Sequence, residues 1–355
     1  MRSKIFVIYY HKILPRFGFD VYYKTFDIEL RIIKKLFNVI SLEEAFWYLS
    51  EGKVPDKPSI VITFDDGYVD NFVYAYPLLK KHRLKATIFP VSSRILKEDR
   101  VRPTLEDYWK GDVSFNELHR PKTMAQANYE FLTKGWSNDF LTISELNKMK
   151  DVFEIGGHAK IHAKVFYSQE IKDFYDGNNG HWSLPYSYGS SYDFSKMEKP
   201  VIGYPIFPDK NNLAVKRGYV KQEVKDFIKS LDKGFFKQKN WKEMLKNELE
   251  KNFSSFLEFE TDEEREKRTR WELETSKREL EELIGEKVKH FSYPFGHYDD
   301  FLKNIVKDYF YTAYTVEKGI IEPSKKNDYF KLPRIAIAKD FISFLDKIVK
   351  YGILK

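Results

Sequence analysis

Short apolar runs rich in β-branched and aromatic residues recur along the chain, at 4–10, 38–40, 59–64, 86–91, 152–155, 288–293, 311–316 and 330–338. Each reads as a strand. Between several of them apolar positions recur at helical spacing, and three helix starts are signed. Ser41 with Glu44, Thr142 with Glu145 and Thr261 with Glu264 fit the capping box, in which two side chains satisfy otherwise orphaned N–H groups. Alternation of strand and helix predicts parallel pairing, because adjacent parallel strands need a crossover. The chain is therefore an open doubly wound α/β sheet or a closed barrel.

Two stretches break the alternation. Residues 97–141 are polar and irregular, and 167–252 begin with a Gly, Asn, Tyr and Pro-rich passage before turning Lys-rich and helical from about Lys221. Segments this long inside a compact domain are usually functional insertions, so both read as decorations on one scaffold spanning 1–355. The charged run 261–286 keeps Trp271, Leu280, Leu283 and Ile284 as an apolar stripe and reaches a helix stop at Gly285. It is predicted to be a scaffold helix with a solvated face.

Composition narrows the chemistry. With no cysteine, disulfide frameworks, thiolate nucleophiles and iron-sulfur clusters are excluded, and any metal must sit on His, Asp or Glu. Lys and Arg (60) exceed Asp and Glu (53) by only seven and alternate with them, so nucleic-acid binding ranks last among the functions considered. No apolar run approaches the ~20 residues that span a bilayer, and the opening ten residues are too short for a secretory signal. The expectation is a cytoplasmic or membrane-peripheral chain with no transmembrane segment; its oligomeric state is not legible.

Three segments carry candidate chemistry. The apolar run 59–64 leads directly into Asp65, Asp66 and Gly67, which places two carboxylates at a strand's C-terminal end, where α/β folds build active sites. Asp-Gly alone is ordinary turn chemistry. Neighbouring strand residues point in opposite directions, so the two acids should serve different partners. After the next strand but one, Gly156-Gly157-His158 is followed by His162; four-residue spacing puts two imidazoles on one side of a helical turn, where they can share a metal. With an aspartate this makes three protein ligands and room for a water. The third segment, Phe291-Ser292-Tyr293-Pro294-Phe295-Gly296-His297, fixes a sharp bend whose N–H groups can face a substrate oxygen, or is simply a well-made turn.

Together, Thr63-Phe64-Asp65-Asp66-Gly67, His158-x-x-x-His162 and Phe291 to Gly296 resemble the polysaccharide deacetylase family, the NodB-homology carbohydrate esterases. Tyr10-His11, the passage from Tyr76-Pro77 to Phe89, and Leu332-Pro333-Arg334-Ile335 extend the resemblance over most of the chain outside the two insertions. It implies a distorted (β/α) barrel and a divalent metal, Zn2+, held by Asp66, His158 and His162. It also implies Asp65 as general base and the Phe295 N–H as a donor to the oxyanion. Departures are Ala159, where the family commonly has Ser or Thr, and Ser292, where it commonly has Arg. We expect Arg334 to replace that arginine and orient Asp65. No histidine follows His297 to act as the usual late general acid. Tyr293, Pro294, His297 and Trp182 are expected at the substrate, and His11 to pack beneath the site. His119 and His181 are expected at the surface.

The second insertion is dense in rings, Trp182, Tyr186, Tyr188, Tyr192, Phe194, Tyr204 and Phe207, most of which should pack it against the barrel, with one or two at the cleft. The reading is a hydrolase that removes N-acetyl groups from an amino-sugar-containing glycan, an N-acetylated saccharide being its partner. O-acetyl esterase or other amide hydrolysis, and catalytically silent glycan binding, remain open alternatives.

Overall fold

The computed structural model describes residues 4–189 and 197–354; Tyr192 and Phe194 lie outside these. The eight predicted strands form: β1 (Ile5–Tyr10), β2 (Asn38–Val39), β3 (Ser59–Asp66), β4 (Ala86–Pro90), β5 (Phe153–Ile155), β6 (His290–Ser292), β7 (Thr312–Tyr314) and β8 (Ile335–Ala336). Ladders join β8, β1, β3, β4 and β5 in that order, all parallel, with β2 alongside the start of β3. Parallel β6 and β7 form a separate pair. Single parallel bridges carry the ring onward, Gly157 with Phe291 from β5 to β6, and Tyr314 with Leu332 from β7 toward β8. A distorted barrel of seven strands results. The bridge at Gly157 needs a bare backbone: a Cβ on Gly156 would meet the Phe89 ring at 2.4 Å, and one on Gly157 the Phe310 ring at 3.2 Å.

Period-2 alternation sorts the strand side chains into two layers. Phe6, Ile8, Tyr10, Ile60, Ile62, Phe64, Ile88, Phe291 and Tyr293 join a large core with the helices Tyr23–Leu36, Tyr76–His82 and Asp262–Ile284. Val7, Val61, Phe89, Tyr314 and Leu332 form the opposite layer, inside the ring. Val7, Val61, Phe89 and Leu332 sit in line with the residues that reach the mouth: Tyr9, Asp65 and Arg334.

All three signed capping boxes are realised, each with the Ser or Thr oxygen accepting the N3 amide, and Gly285 ends the long helix at φ 70°. That helix has the expected solvated face, with Glu263, Glu266, Lys267, Glu274 and Arg278 exposed, but Trp271 is misassigned to its apolar stripe. Trp271 is 39% exposed, whereas Arg265, Arg268, Glu272 and Ser276 join Leu273, Leu280 and Ile284 on the buried side.

The second insertion turns helical beyond Lys221 as expected, and together with the strands that flank it forms a sheet that periodicity did not reveal. Asp209–Asn211, Lys164–Phe166, Gly218–Val220 and Leu257–Phe259 form an antiparallel four-stranded sheet, backed by the helices Gln222–Ser230 and Trp241–Asn252 over a small apolar core. Tyr188, Tyr204 and Phe207 lie in that core, and Tyr186 is fully buried beside Ala163 and Val165. No helix among the described residues is long and apolar enough to cross a membrane.

Candidate active site

The pleat of β3 sends its two terminal acids to different partners within one cleft. Asp65 is 3% exposed and receives both arms of a guanidinium, Arg334 Nη1 to Oδ1 at 2.8 Å and Nη2 to Oδ2 at 2.7 Å. The same Nη2 donates to Ser292 Oγ at 2.7 Å, and Nε donates to the Thr315 carbonyl at 3.1 Å. Arg334 is wholly buried, its guanidinium over the Tyr9 ring. Burial alone would push the Asp65 carboxyl up; Arg334, with His158 behind it, overrides this and holds it below the usual carboxylate range.

Asp66 turns the other way, its backbone in the left-handed region at φ 74°. Its Oδ1 lies 3.2 Å from His162 Nε2 and 3.4 Å from His158 Nε2, and is buried without a hydrogen-bond partner. These three groups converge within 4.8 Å. The histidines do not share a helical turn as their spacing suggested. They sit in a loop after β5 whose left-handed residues, Ala159 (φ 60°) and His162 (φ 47°), fold the chain back so that the rings stand 4.8 Å apart. His158 Nδ1 donates to the Ser292 carbonyl at 2.7 Å, which orients the ring with Nε2 toward Asp66. Burial, reinforced by Arg94 and His158 against the pull of Asp66, drops His162 well below the imidazole range and keeps it neutral. A buried carboxylate oxygen with no proton partner, facing two imidazole nitrogens, is a donor set suited to a divalent cation.

Sequence reasoning missed what holds this loop. Glu272, buried mid-helix, accepts the Ile161 N–H at 3.0 Å and the Asn212 amide at 2.7 Å, while Glu279 takes Lys160 and Ser92. The long helix thus clamps the segment between the two histidines. Acids seven residues apart on a charged helix look like solvent contacts; only the partner loop makes them internal. Arg94 was missed as well. It is buried with Nη1 3.8 Å from Asp66 Oδ1, and its guanidinium faces the Phe140 and Trp182 rings.

The cleft has a volume of about 430 Å³ and is lined by Tyr9, His11, Asp65, Asp66, Tyr68, Asn128, His158, His162, Lys164, Trp182, Phe295 and His297, among others. Phe295 bends at φ 58°, its ring 4.3 Å from that of His162, and its N–H takes no partner among the described residues. Gly296 is required there: at φ 68° an added Cβ would lie 2.2 Å from Val316. His297 Nδ1 accepts the Asn211 N–H at 3.2 Å, which leaves the proton on Nε2; burial and then Lys164 lower its pKa.

The structure does not bring Tyr293 and Pro294 to the cleft. Because Ser292 points into the ring, Tyr293 points out into the helical layer, where its hydroxyl donates to the Phe330 carbonyl; Pro294 is buried behind the turn. Of the insertion's described aromatics expected at the cleft or packed, Trp182 alone lines it. His11 lines the cleft too. His119 and His181 are not plain surface residues. His119 pairs with Asp139, which also holds the buried Lys12, and His181 flanks Trp182 at 4.9 Å, its pKa lowered to about 4 by burial.

An α/β barrel that gathers two acids, two histidines and a buried arginine at the C-terminal mouth of its strands has the build of a barrel enzyme. Its family follows from comparison with known proteins. The polysaccharide deacetylase family matches residues 52–164 and 238–314, more than half of the chain, and the chain belongs to that family. The unmatched interval between those spans, residues 165–237, overlaps most of the second insertion. The Bacillus subtilis (strain 168) protein YxkH is 35% identical over 94 residues, 26% of this chain; the match spans about a third (34%) of that relative's length. Among solved structures, the Streptococcus pyogenes deacetylase PplD in complex with acetate aligns over 98% of this chain and 99% of its own, with 17% identity and a TM-score of 0.53. The de-N-acetylase from Aggregatibacter actinomycetemcomitans aligns over 97% and 100%, with 16% identity and a TM-score of 0.57. At these identities the likeness concerns the fold.

Proposed function

We propose that this chain is a metal-dependent hydrolase that removes N-acetyl groups from an amino-sugar-containing glycan of the cell envelope or surface. The observation that carries the reading is the meeting, in one cleft, of the arginine-held Asp65, the Asp66-His158-His162 donor set and the unpartnered N–H of Phe295. A divalent cation of the Zn2+ class, held by Asp66, His158 and His162, supplies Lewis-acid chemistry and lowers the pKa of a water toward ~7. Every other step belongs to the chain. Asp65, fixed by Arg334 and Ser292, accepts the proton of the attacking water. The Phe295 N–H is available to the amide oxygen as it gains charge, a donor of the kind typically worth about 3 kcal/mol. Returned from Asp65 to the leaving nitrogen, the water's proton completes cleavage of the C–N bond, and acetate and a free amine leave.

Trp182 offers a flat face to the sugar, its ring near-parallel to that of His162. His297, neutral and with its proton on Nε2, donates to the substrate and is a poor acid for the leaving amine. The insertions at 97–141 and 167–252 are decorations of one barrel domain that shape access to the cleft, contributing Asn128 and Trp182 to its walls.

Mass spectrometry of N-acetylated glucosamine oligomers incubated with the zinc-loaded protein tests the proposal. Loss of acetyl mass, absent with Asp65→Asn, is expected. No loss from any N-acetylated glycan, or faster release from O-acetylated substrates, would replace it with one of the other hydrolytic readings.

A further inference from the structure

The N-terminal end of the barrel, opposite the cleft, carries a second convergence of ligand atoms. Glu154 on β5 and His290 on β6 belong to the barrel wall, and Glu43 comes from the first turn of the helix Leu42–Ser50. His290 Nε2 stands 3.2 Å from Glu154 Oε1 and 3.5 Å from Glu43 Oε2. His290 is 1% exposed, yet its Nε2 makes no aligned hydrogen bond with either carboxylate.

The far atom of each group is already held. His290 Nδ1 lies 2.7 Å from Thr312 Oγ1, Glu154 Oε2 accepts the Leu42 N–H at 3.0 Å, and Glu43 Oε1 accepts Lys289 Nζ at 2.8 Å. One atom from each residue is left facing a common point, oriented in the way metal ligands are oriented by their outer partners. Glu43 and Glu154, with Ser41 and Lys289, also line a surface groove beside that point.

A proton and a divalent cation make different geometric demands. A proton on Nε2 binds a carboxylate that lies along the N–H axis. A tetrahedral cation, about 2.0–2.2 Å from each ligand, sets the ligand atoms about 3.3 Å apart and displaced from that axis. The separations and misalignment at His290 follow the second pattern. So do those at Asp66, where Oδ1 stands at 3.2 and 3.4 Å from its two imidazoles and is likewise unbonded.

We infer that Glu43, Glu154 and His290 form a second divalent-cation site, of the Zn2+ class, which ties the helix Leu42–Ser50 to the barrel wall. One imidazole and two carboxylates, with an open position for water, suit that ion. Its place on the N-terminal face gives it a stabilising role apart from the chemistry at the mouth.

The test is zinc content of the full chain after equilibration with buffered Zn2+ and removal of free metal. Two equivalents are expected in the wild type, one in Asp66→Asn, one in Glu43→Gln and none in the double variant. The Glu43 side chain is 48% exposed, so Glu43→Gln should fold and leave acetyl release unchanged. It should weaken the second site at least tenfold and abolish the zinc-dependent rise in Tm that Asp66→Asn retains. A folded Asp66→Asn protein without zinc, or Glu43→Gln with wild-type zinc content, would overturn the site and leave a protonated imidazole between two acids. Should Asp66→Asn fail to fold, the Glu43→Gln arm decides alone.

Discussion

Replacing Arg334 by Met removes the group on which Asp65 depends while keeping much of its volume. The structure sets the size of the effect. Both oxygens of a 3% exposed carboxylate lose the guanidinium, leaving only a long 3.5 Å contact from Ser292 Oγ, and the Thr315 carbonyl loses its donor, with no solvent to take over. Breaking a buried ion pair on one side costs roughly 3–5 kcal/mol. For a chain of this length that is a fall in Tm of about 4–7 °C. The pH dependence should change sign as well. In the wild type the depressed Asp65 pKa contributes stability that is present above the ordinary carboxylate range and lost as pH falls through the folded value. Without Arg334, burial dominates, the pKa rises, and ionising Asp65 becomes unfavourable near neutrality. The assay pairs thermal denaturation with acetate release between pH 4 and 9. Arg334→Met should lose turnover and move its acidic limb to higher pH. Arg334→Lys, which keeps charge but not the fork, should fall between. A double-mutant cycle with Asp65→Asn should show coupling on the order of 2 kcal/mol. Unchanged turnover and an unmoved acidic limb in Arg334→Met would refute the positioning role.

Other expectations follow from single sites. Glu29 is fully buried, with Tyr10 donating to it at 2.9 Å, and its pKa is raised by burial from 4.5 to about 8. The folded state then holds the extra proton between those values, so stability falls as pH rises through that window, by at most about 5 kcal/mol. Glu29→Gln should flatten the decline in Tm between pH 5 and 8, and parallel curves would contradict this. Gly296→Ala should destabilise by about 2 kcal/mol or more in urea unfolding, since its Cβ collides with Val316 at a positive φ. Trp182→Ala should raise KM about five- to tenfold with kcat little changed, in keeping with ~1 kcal/mol of ring contact; a loss confined to kcat would move Trp182 from binding to chemistry.

Much of this was legible because it is local. Apolar runs of the right length became strands, Ser41, Thr142 and Thr261 became caps, and the acids ending β3 reached the mouth because parallel strands place their C-terminal ends there. Arg334 was found as the one late-strand cation able to replace a missing arginine. What failed depends on the backbone or on distant partners. His158 and His162 met through two left-handed residues and not a helical turn, and spacing does not distinguish the two. Tyr293 was lost to the cleft by one step of the pleat. Glu272 and Arg268 sit inside because Ile161, Asn212 and Glu260 come to meet them, whereas hydropathy placed them in water. The four-stranded sheet of the insertion and its flanks is built from pairings of one to three residues over long sequence separations, too short to show a period.

Acetate and free amine released from N-acetylated glucosamine oligomers, by wild type and Asp65→Asn, each stripped of metal and then reloaded with Zn2+, test the central claim most directly. The account predicts equimolar acetate and amine from the reloaded wild type alone. Release that survives Asp65→Asn, or that is the same with and without metal, would contradict it.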